Sequence, residues 1–232
     1  MREQATGMAD HRADEPTGDS AGGPVPLTFA ELEFVLRNAA ERGVDVDDVR
    51  RRLNFQPGVS TGIVVASGVA SLLARDLCRL EEGHRQESRV VPGEFIQCAI
   101  AALATRHTST EAAGWLDERP VVVHLFSGVT GRLAVYPGAY GVFAVELIDA
   151  AEPLSAPVLR FLDLCTSGAG AATVLIRTQA GAADESGVAV ARSDTGAWFM
   201  SDSLERPDPG RPLARAAVVA RLLSLLAQPV GV

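Results

Sequence analysis

The stretch Gly58-Val59-Ser60-Thr61-Gly62 has the Gly-x-Ser-x-Gly spacing that sets a nucleophilic serine on a strained strand-to-helix turn. For Ser60 to attack a carbonyl, the chain must also supply a strand ending before Gly58, an imidazole to take the proton and a carboxylate to orient it. The lead-in Leu53-Asn54-Phe55-Gln56-Pro57 is too short, and too proline-broken, for a central strand. Histidine is missing from the last part of the chain. A Ser…Asp…His order has only His84, His107 or His124 to draw on, none beside a recognisable loop motif. An amphipathic stretch starts directly after Thr61, so Ser60 is expected to be the cap that receives a helix's first N–H groups. A small serine hydrolase using Ser60 is the alternative.

Other spacings that carry chemistry elsewhere are weaker here. Residues 39–53 have the outline of a helix-turn-helix, a second alternative in which a DNA-binding regulator uses Arg50, Arg51 and Arg52. The residues that would lie nearest the bases are Asp45, Asp47 and Asp48, which repel phosphate. His11, His84, His107 and His124 lie far apart, and no C-x-x-C, H-x-H or H-x-x-x-H spacing occurs. Gly168-Ala169-Gly170 precedes a strand-like run, whereas a dinucleotide fingerprint follows one; it reads as loop. The pairs Asp184/Glu185 and Asp202/Glu205 stand in polar, turn-like contexts as solvated charges. No catalytic, cofactor-binding or metal-binding residue is expected, and no cofactor.

Composition narrows the classes further. The 21 basic residues other than histidine are all arginine, a bias of GC-rich bacterial genomes. Without lysine there is no Schiff base, P-loop lysine or Ser–Lys dyad. A net charge of −8 disfavours nucleic acid and anionic lipid as partners. No apolar run reaches the 18 or so residues of a membrane helix, and the N-terminus lacks a signal pattern, so a cytoplasmic protein without membrane insertion is expected. Cys78, Cys98 and Cys165 are odd in number and widely spaced; two fall in apolar helical stretches, and no disulfide framework is expected.

The pattern along the chain is α+β. Residues 1–26 are too polar to offset the entropy of ordering them and read as a disordered tail before a single domain over 27–227. Thr28 and Glu31 form a capping box, with Leu27 stapled to Leu32, and the helix buries Leu32, Val35, Leu36 and Ala39 before stopping at Gly43. A short helix over Val46–Leu53 follows. The next helix runs to about Leu80, buries Ala66, Val69, Ala70, Leu73, Leu77 and Leu80, and is weakened by Gly68. Glu81 to Arg89 is a polar linker, and Glu94 to Thr105 a further helix. The period then shifts toward two: Pro120–Phe126, Arg132–Tyr136 and Gly141–Ile148 make an antiparallel meander, with Ala112–Leu116 as a strand before it. A helix over Ala156–Thr166 leads to strands Thr173–Gln179, Val188–Arg192 and Ala197–Ser201. Arg211–Ala227 closes the chain as a helix apolar nearly all round, suited to a core or a partner. The sheet is expected to have six to seven strands, packed with N-terminal helices and the closing helix. Trp115, Trp198, Phe126, Phe143, Phe199, Tyr136 and Tyr140 mostly fall on strands; any that share a wet sheet face would anchor a protein partner.

The opening Leu27-Thr28-Phe29-Ala30-Glu31-Leu32, the helix Gly68 to Leu77 ending in Leu-x-Arg-x-Leu, and the Ala-rich helix Cys98 to Ala104 succeed one another in order. Trp115 and the meander Val121 to Ile148, with Gly131-Arg132-Leu133-Ala134-Val135-Tyr136-Pro137, follow. This succession resembles the EspG-type proteins associated with type VII (ESX) secretion in actinobacteria. The resemblance implies a cytosolic, non-enzymatic adaptor or chaperone that binds a helical secreted substrate pair and keeps it soluble until export. It assigns no partner-binding residue, and homo-oligomer formation stays open.

Overall fold

In the computed structural model, which describes residues 23–56, 58–82, 88–149, 151–181, 185–202, 204 and 210–227, the chain enters as a strand. That strand, Val25–Thr28 (β1), corrects the expectation of a tail reaching residue 26. Its cause is non-local: β1 pairs antiparallel with a strand more than a hundred residues later, Val25 opposite Val145. Residues 1–22 of the expected tail lie outside the described residues.

Thr28 then starts helix α1 (Phe29–Ala40) as its sequence predicts. The Thr28 hydroxyl accepts from the Glu31 N–H at 3.3 Å, and the Glu31 carboxylate accepts from the Thr28 N–H at 2.7 Å. Leu32, Val35, Leu36 and Ala39 are buried as expected, but so are Glu31, Glu33 and Phe34. Helix α1 is therefore central rather than one-sided. Gly43 takes a positive φ of 86° in the turn after it, the left-handed geometry glycine tolerates best.

Helix α2 (Asp47–Arg52) follows, then α3 (Gly62–Ala74). The third helix stops six residues short of the predicted Leu80. Asp76 turns into the left-handed region (φ 56°), and the Leu77 N–H bonds back to the Leu72 carbonyl at 2.9 Å, closing the helix. Cys78–Glu82 (β2) and Ser88–Pro92 (β3) then pair as an antiparallel hairpin, so both ends of the expected linker are strand, its middle lying outside the described residues. The fully buried residues of α3 are Gly68 and Leu72; of the predicted stripe, Val69, Leu73 and Leu77 are half-buried against the same core, while Ala66, Ala70 and Leu80 are exposed. A helix apolar all round has no unique inner face in sequence, and the close approach of α1 selects Gly68.

Next come α4 (Glu94–Ala104), β4 (Arg106–Leu116), β5 (Arg119–Gly128), β6 (Arg132–Pro137) and β7 (Val142–Ile148). Helix α5 (Ser155–Thr166) is followed by β8 (Ala172–Ala180), β9 (Ser186–Arg192), β10 (Trp198–Ser201) and α6 (Arg215–Leu226). The eight strands besides the hairpin form one sheet in the order β1-β7-β6-β5-β4-β8-β9-β10, every paired neighbour antiparallel. Strand β4 is twice the length read from sequence. Its first half, Arg106-His107-Thr108-Ser109-Thr110-Glu111, is polar, yet it is held between β5 and β8 at the centre of the sheet. The fold is α+β, as expected, with more strands.

The two faces of this sheet build separate cores. Phe126 of β5, Leu133 and Val135 of β6 and Phe143 and Val145 of β7 pack under α1–α4. Val123 and Leu125 of β5 point the other way, joining Val174, Ile176, Val188 and Val190 beneath α5 and α6. Of α6 only Val218 and Leu222 are buried, so the helix is less enclosed than its composition suggests. Among the described residues no helix is long and apolar enough to cross a membrane.

Candidate functional site

Ser60 is not the cap of α3. Thr61 is: its hydroxyl accepts from the Val64 N–H at 3.4 Å. The Ser60 hydroxyl instead donates to Oε1 of Glu33, a partner 27 residues earlier that periodicity could not suggest. Glu33 is fully buried and also accepts from Arg50, through Nη2 at 2.5 Å and Nε at 3.2 Å. Arg50 reaches on to Asp47 at 2.8 Å. The hydrogen bond to Glu33, reinforced by Asp47, holds the Arg50 guanidinium proton more tightly than usual despite partial burial. These groups line a cleft of about 790 Å³ together with Phe29 and Phe55.

The same set of residue types recurs one position pair earlier on α1. Buried Glu31 accepts from the Ser71 hydroxyl at 2.8 Å and from Arg75 Nη1 at 2.9 Å. Burial pushes the Glu31 carboxyl up, but the Thr28 N–H, Ser71 and Arg75 outweigh it and hold it below the ordinary carboxylate range. Each Glu–Ser–Arg set ties α1 to a neighbour, Glu31 to α3 and Glu33 to α2 and the loop before α3. Neither His107 nor His124 lines the Ser60 cleft. As a clamp member, Ser60→Ala should lower stability by about 2 kcal/mol, the loss of a hydrogen bond to a charged group. Thr61→Ala should cost about 1 kcal/mol as a lost cap. Urea unfolding of both variants checks the pair, and the larger effect at Ser60 is the discriminating result.

The arginine triplet is engaged within the chain. Arg50 pairs with Glu33 and Asp47, Arg51 with Asp48 at 3.2 Å, and Arg52 with Asp48 at 3.1 Å and Glu185 at 3.6 Å. Arg52 also donates to Gln179, which binds α2 to the sheet. The acid-first, arginine-last pattern of α2 is that of a helix laced by its own ion pairs. The other sequence candidates fall elsewhere. Among the described residues no group of three or more His, Cys, Asp or Glu is placed to hold a metal ion. Burial pushes the Cys78 and Cys165 thiols up, whereas Cys98 is exposed on α4. The carbonyls of Gly168 and Gly170 accept from Arg192, as loop. Asp202 pairs with Arg221, while His11, His84, Asp184 and Glu205 lie outside the described residues.

A different surface has no counterpart in these local patterns. Among the described residues, α1–α4 pack on their face of the sheet over β1, β7, β6 and the Phe126 end of β5, with α2 reaching Gln179 on β8; no described helix packs on that face from the Pro120–Val122 end of β5 across β4, β8, β9 and β10. Strand register arranges it in rows. One row runs Val122–Ala113–Leu175–Ala189–Ser201. The next sets Pro120 beside Trp115, then Thr173–Ala191–Phe199. Val122, Ala113, Trp115, Leu175 and Phe199 belong to neither core, and Trp115 is 59% exposed. Trp115, Pro120, Val122, Pro137 and Leu175 enclose a shallow concavity of about 480 Å³. At one end Leu204 folds over Gly187. The remaining aromatics divide otherwise: Phe126 and Phe143 lie in the first core, Trp198 and Tyr136 against the second, and Tyr140 in an exposed turn.

A polar row, His124–Glu111–Arg177, crosses the same face next to Val122–Ala113–Leu175, with Phe126–Ser109–Gln179 on its other side. His124 stacks on Phe126, and its Nδ1 has no hydrogen-bond partner, the Glu111 carboxylate standing 3.7 Å away. Burial, and secondarily Arg52, lowers the imidazole pKa to about 4. The unfolded chain takes up this proton near pH 6.5 and the folded one only near pH 4, so acidification favours unfolding across that window. The cost reaches up to about 3 kcal/mol at the acid end. His124→Phe should remove this slope, so that unfolding midpoints at pH 7 and 4.5 lie closer together than in the wild type.

No protein-family model matches the chain, and no match to a curated protein is found.

Proposed function

We propose that the protein is a non-catalytic adaptor or chaperone that receives a helical protein partner on the open half of its sheet. One observation carries this reading: an apolar sheet surface with an exposed tryptophan continues, strand by strand, beyond the edge of the helical layer. A sheet face with Trp, Leu, Val and Phe in register ordinarily lies under helices, and here the described helices cover only part of it. A partner's amphipathic helices would complete the layer. Five strands, β5 to β10 in spatial order, span about 19 Å at about 4.8 Å per step. A helix with its side chains is about 10 Å wide, so two fit side by side. The polar row on one side gives the rim expected around an apolar interface centre.

The element order supports a more specific form. Its resemblance to EspG-type proteins fits a cytosolic chaperone of an actinobacterial type VII secretion system, whose cargo is a helical pair. The hydrolase reading draws on the Ser60 cleft, but the twin Glu31–Ser71–Arg75 set favours a clamp; covalent labelling of Ser60 by a fluorophosphonate would establish the hydrolase instead. The engagement of Arg50, Arg51 and Arg52 with acids of the same chain counts against phosphate binding, and salt-sensitive DNA binding lost on replacing them would reverse that.

The docking reading is tested by placing the photoreactive residue p-benzoylphenylalanine at position 122 or, as control, at Ala220 on the outer side of α6, in the native cell. The expected result is an adduct at 122 to a helical segment of one partner and none at 220. Equal adducts at both positions, or none at 122, would contradict it.

A further inference from the structure

Arg177 stands where the open apolar surface meets the polar row, two residues along β8 from Leu175 on the same face. Its side chain is 41% exposed; among the described residues its Nε lacks a hydrogen-bond partner, and its ion-pair partner, Glu111, is 3.9 Å from Nη1. That carboxylate is shared with His124 at 3.7 Å. The neighbouring cation Arg52 is better supplied, with Asp48, Gln179 and Glu185. Arg106, the next in line, reaches Asp48 at 3.4 Å and the Asp45 carbonyl at 3.3 Å. Among the described residues, Arg177 is thus an under-satisfied guanidinium at the rim.

We infer that the partner helix seated over Leu175 carries an aspartate or glutamate that pairs with Arg177, an inference that rests on the adaptor reading above. A helix lying on Leu175 removes water from Arg177, and a desolvated guanidinium left without acceptors opposes binding. A carboxylate matches the planar fork of the guanidinium with two parallel hydrogen bonds; a neutral or basic residue at that place strands it. The chain itself carries a net charge of −8, so long-range attraction does not bring an acidic partner in. The pair acts at contact distance. It fixes which way, and in which register, the helix lies across an apolar surface that would otherwise accept several placements.

The test uses p-benzoylphenylalanine at position 177 beside the adduct at 122, followed by Arg177→Glu and Arg177→Gln. The adduct at 177 is expected within one helical turn of an acidic residue in the same partner that position 122 captures. Arg177→Glu should lower partner retention at least tenfold and Arg177→Gln less, each compared at a temperature well below the variant's own melting, since Glu at 177 faces Glu111 across the strands. Replacing the partner's acidic residue with arginine should restore retention by Arg177→Glu. An adduct at 177 to a stretch without Asp or Glu, or retention indifferent to Arg177→Glu, overturns the acidic pairing while capture at 122 leaves the adaptor reading standing. Adducts only to a second copy of this chain, or none at 122 and 177, overturn both.

Discussion

Glu31→Ala is expected to lower stability by about 3 kcal/mol at neutral pH, the loss found when one member of a buried pair is removed. Glu31 is fully buried, and its carboxylate receives the Thr28 N–H, the Ser71 hydroxyl and Arg75. Alanine fills none of these roles. It also opens the Glu31 half of the capping box, loosens α1 from α3 and leaves Ser71 without its partner. The effect has a definite pH dependence. Because the folded pKa is depressed, the stabilisation is present above the ordinary carboxylate range and is lost as pH falls through the lowered value. The gap between wild type and Glu31→Ala should therefore be widest near pH 7 and narrow in acid. Urea unfolding of both proteins at pH 7 and pH 3 reads this out; a gap that stays constant would show that the carboxylate's charge is not what holds the two helices.

Gly68→Ala is expected to be destabilising by about 3 kcal/mol, opposite in sign to the helix-propensity effect. In an isolated helix the change would gain about 1 kcal/mol. Here a Cβ at position 68 would stand 2.1 Å from the Ala30 carbonyl oxygen and 2.5 Å from its carbon. Both are backbone atoms of α1, which is buried on nearly all sides and has nowhere to retreat. The two helices must separate, with the strain that overpacked cores show. Denaturant midpoints decide it: a loss supports the α1–α3 crossing at Gly68, and a gain would mean that the helices do not meet there.

Much of the architecture was legible because its determinants are local. Thr28 and Glu31 announce the start of α1, Gly43 its end, and alternation in Arg132–Tyr136 and Gly141–Ile148 marks the meander. What stayed hidden depends on residues far apart. Val25 and Pro26 are a strand only because β7 accepts them, and the polar first half of β4 is a strand only because β5 and β8 flank it. Leu77 and Leu80 keep a helical spacing with Leu73, but the chain has already turned at Asp76. For the site, the sequence marked the residues without their surroundings. Ser60 stood out by spacing, but its partner Glu33 lies on another helix. Trp115 and Phe199 were visible as strand aromatics, and which face they occupy follows from the pairing β5-β4-β8-β9-β10, a sequence-distant order.

The most direct measurement of the central claim is partner retention by a Trp115→Asp/Leu175→Asp double variant expressed in the native cell. Both side chains lie on the open face and in neither core, so its melting temperature should stay close to the wild type's. The helical partner retained by the wild type is expected to be lost from this variant. Undiminished retention of that partner by the folded double variant would contradict it.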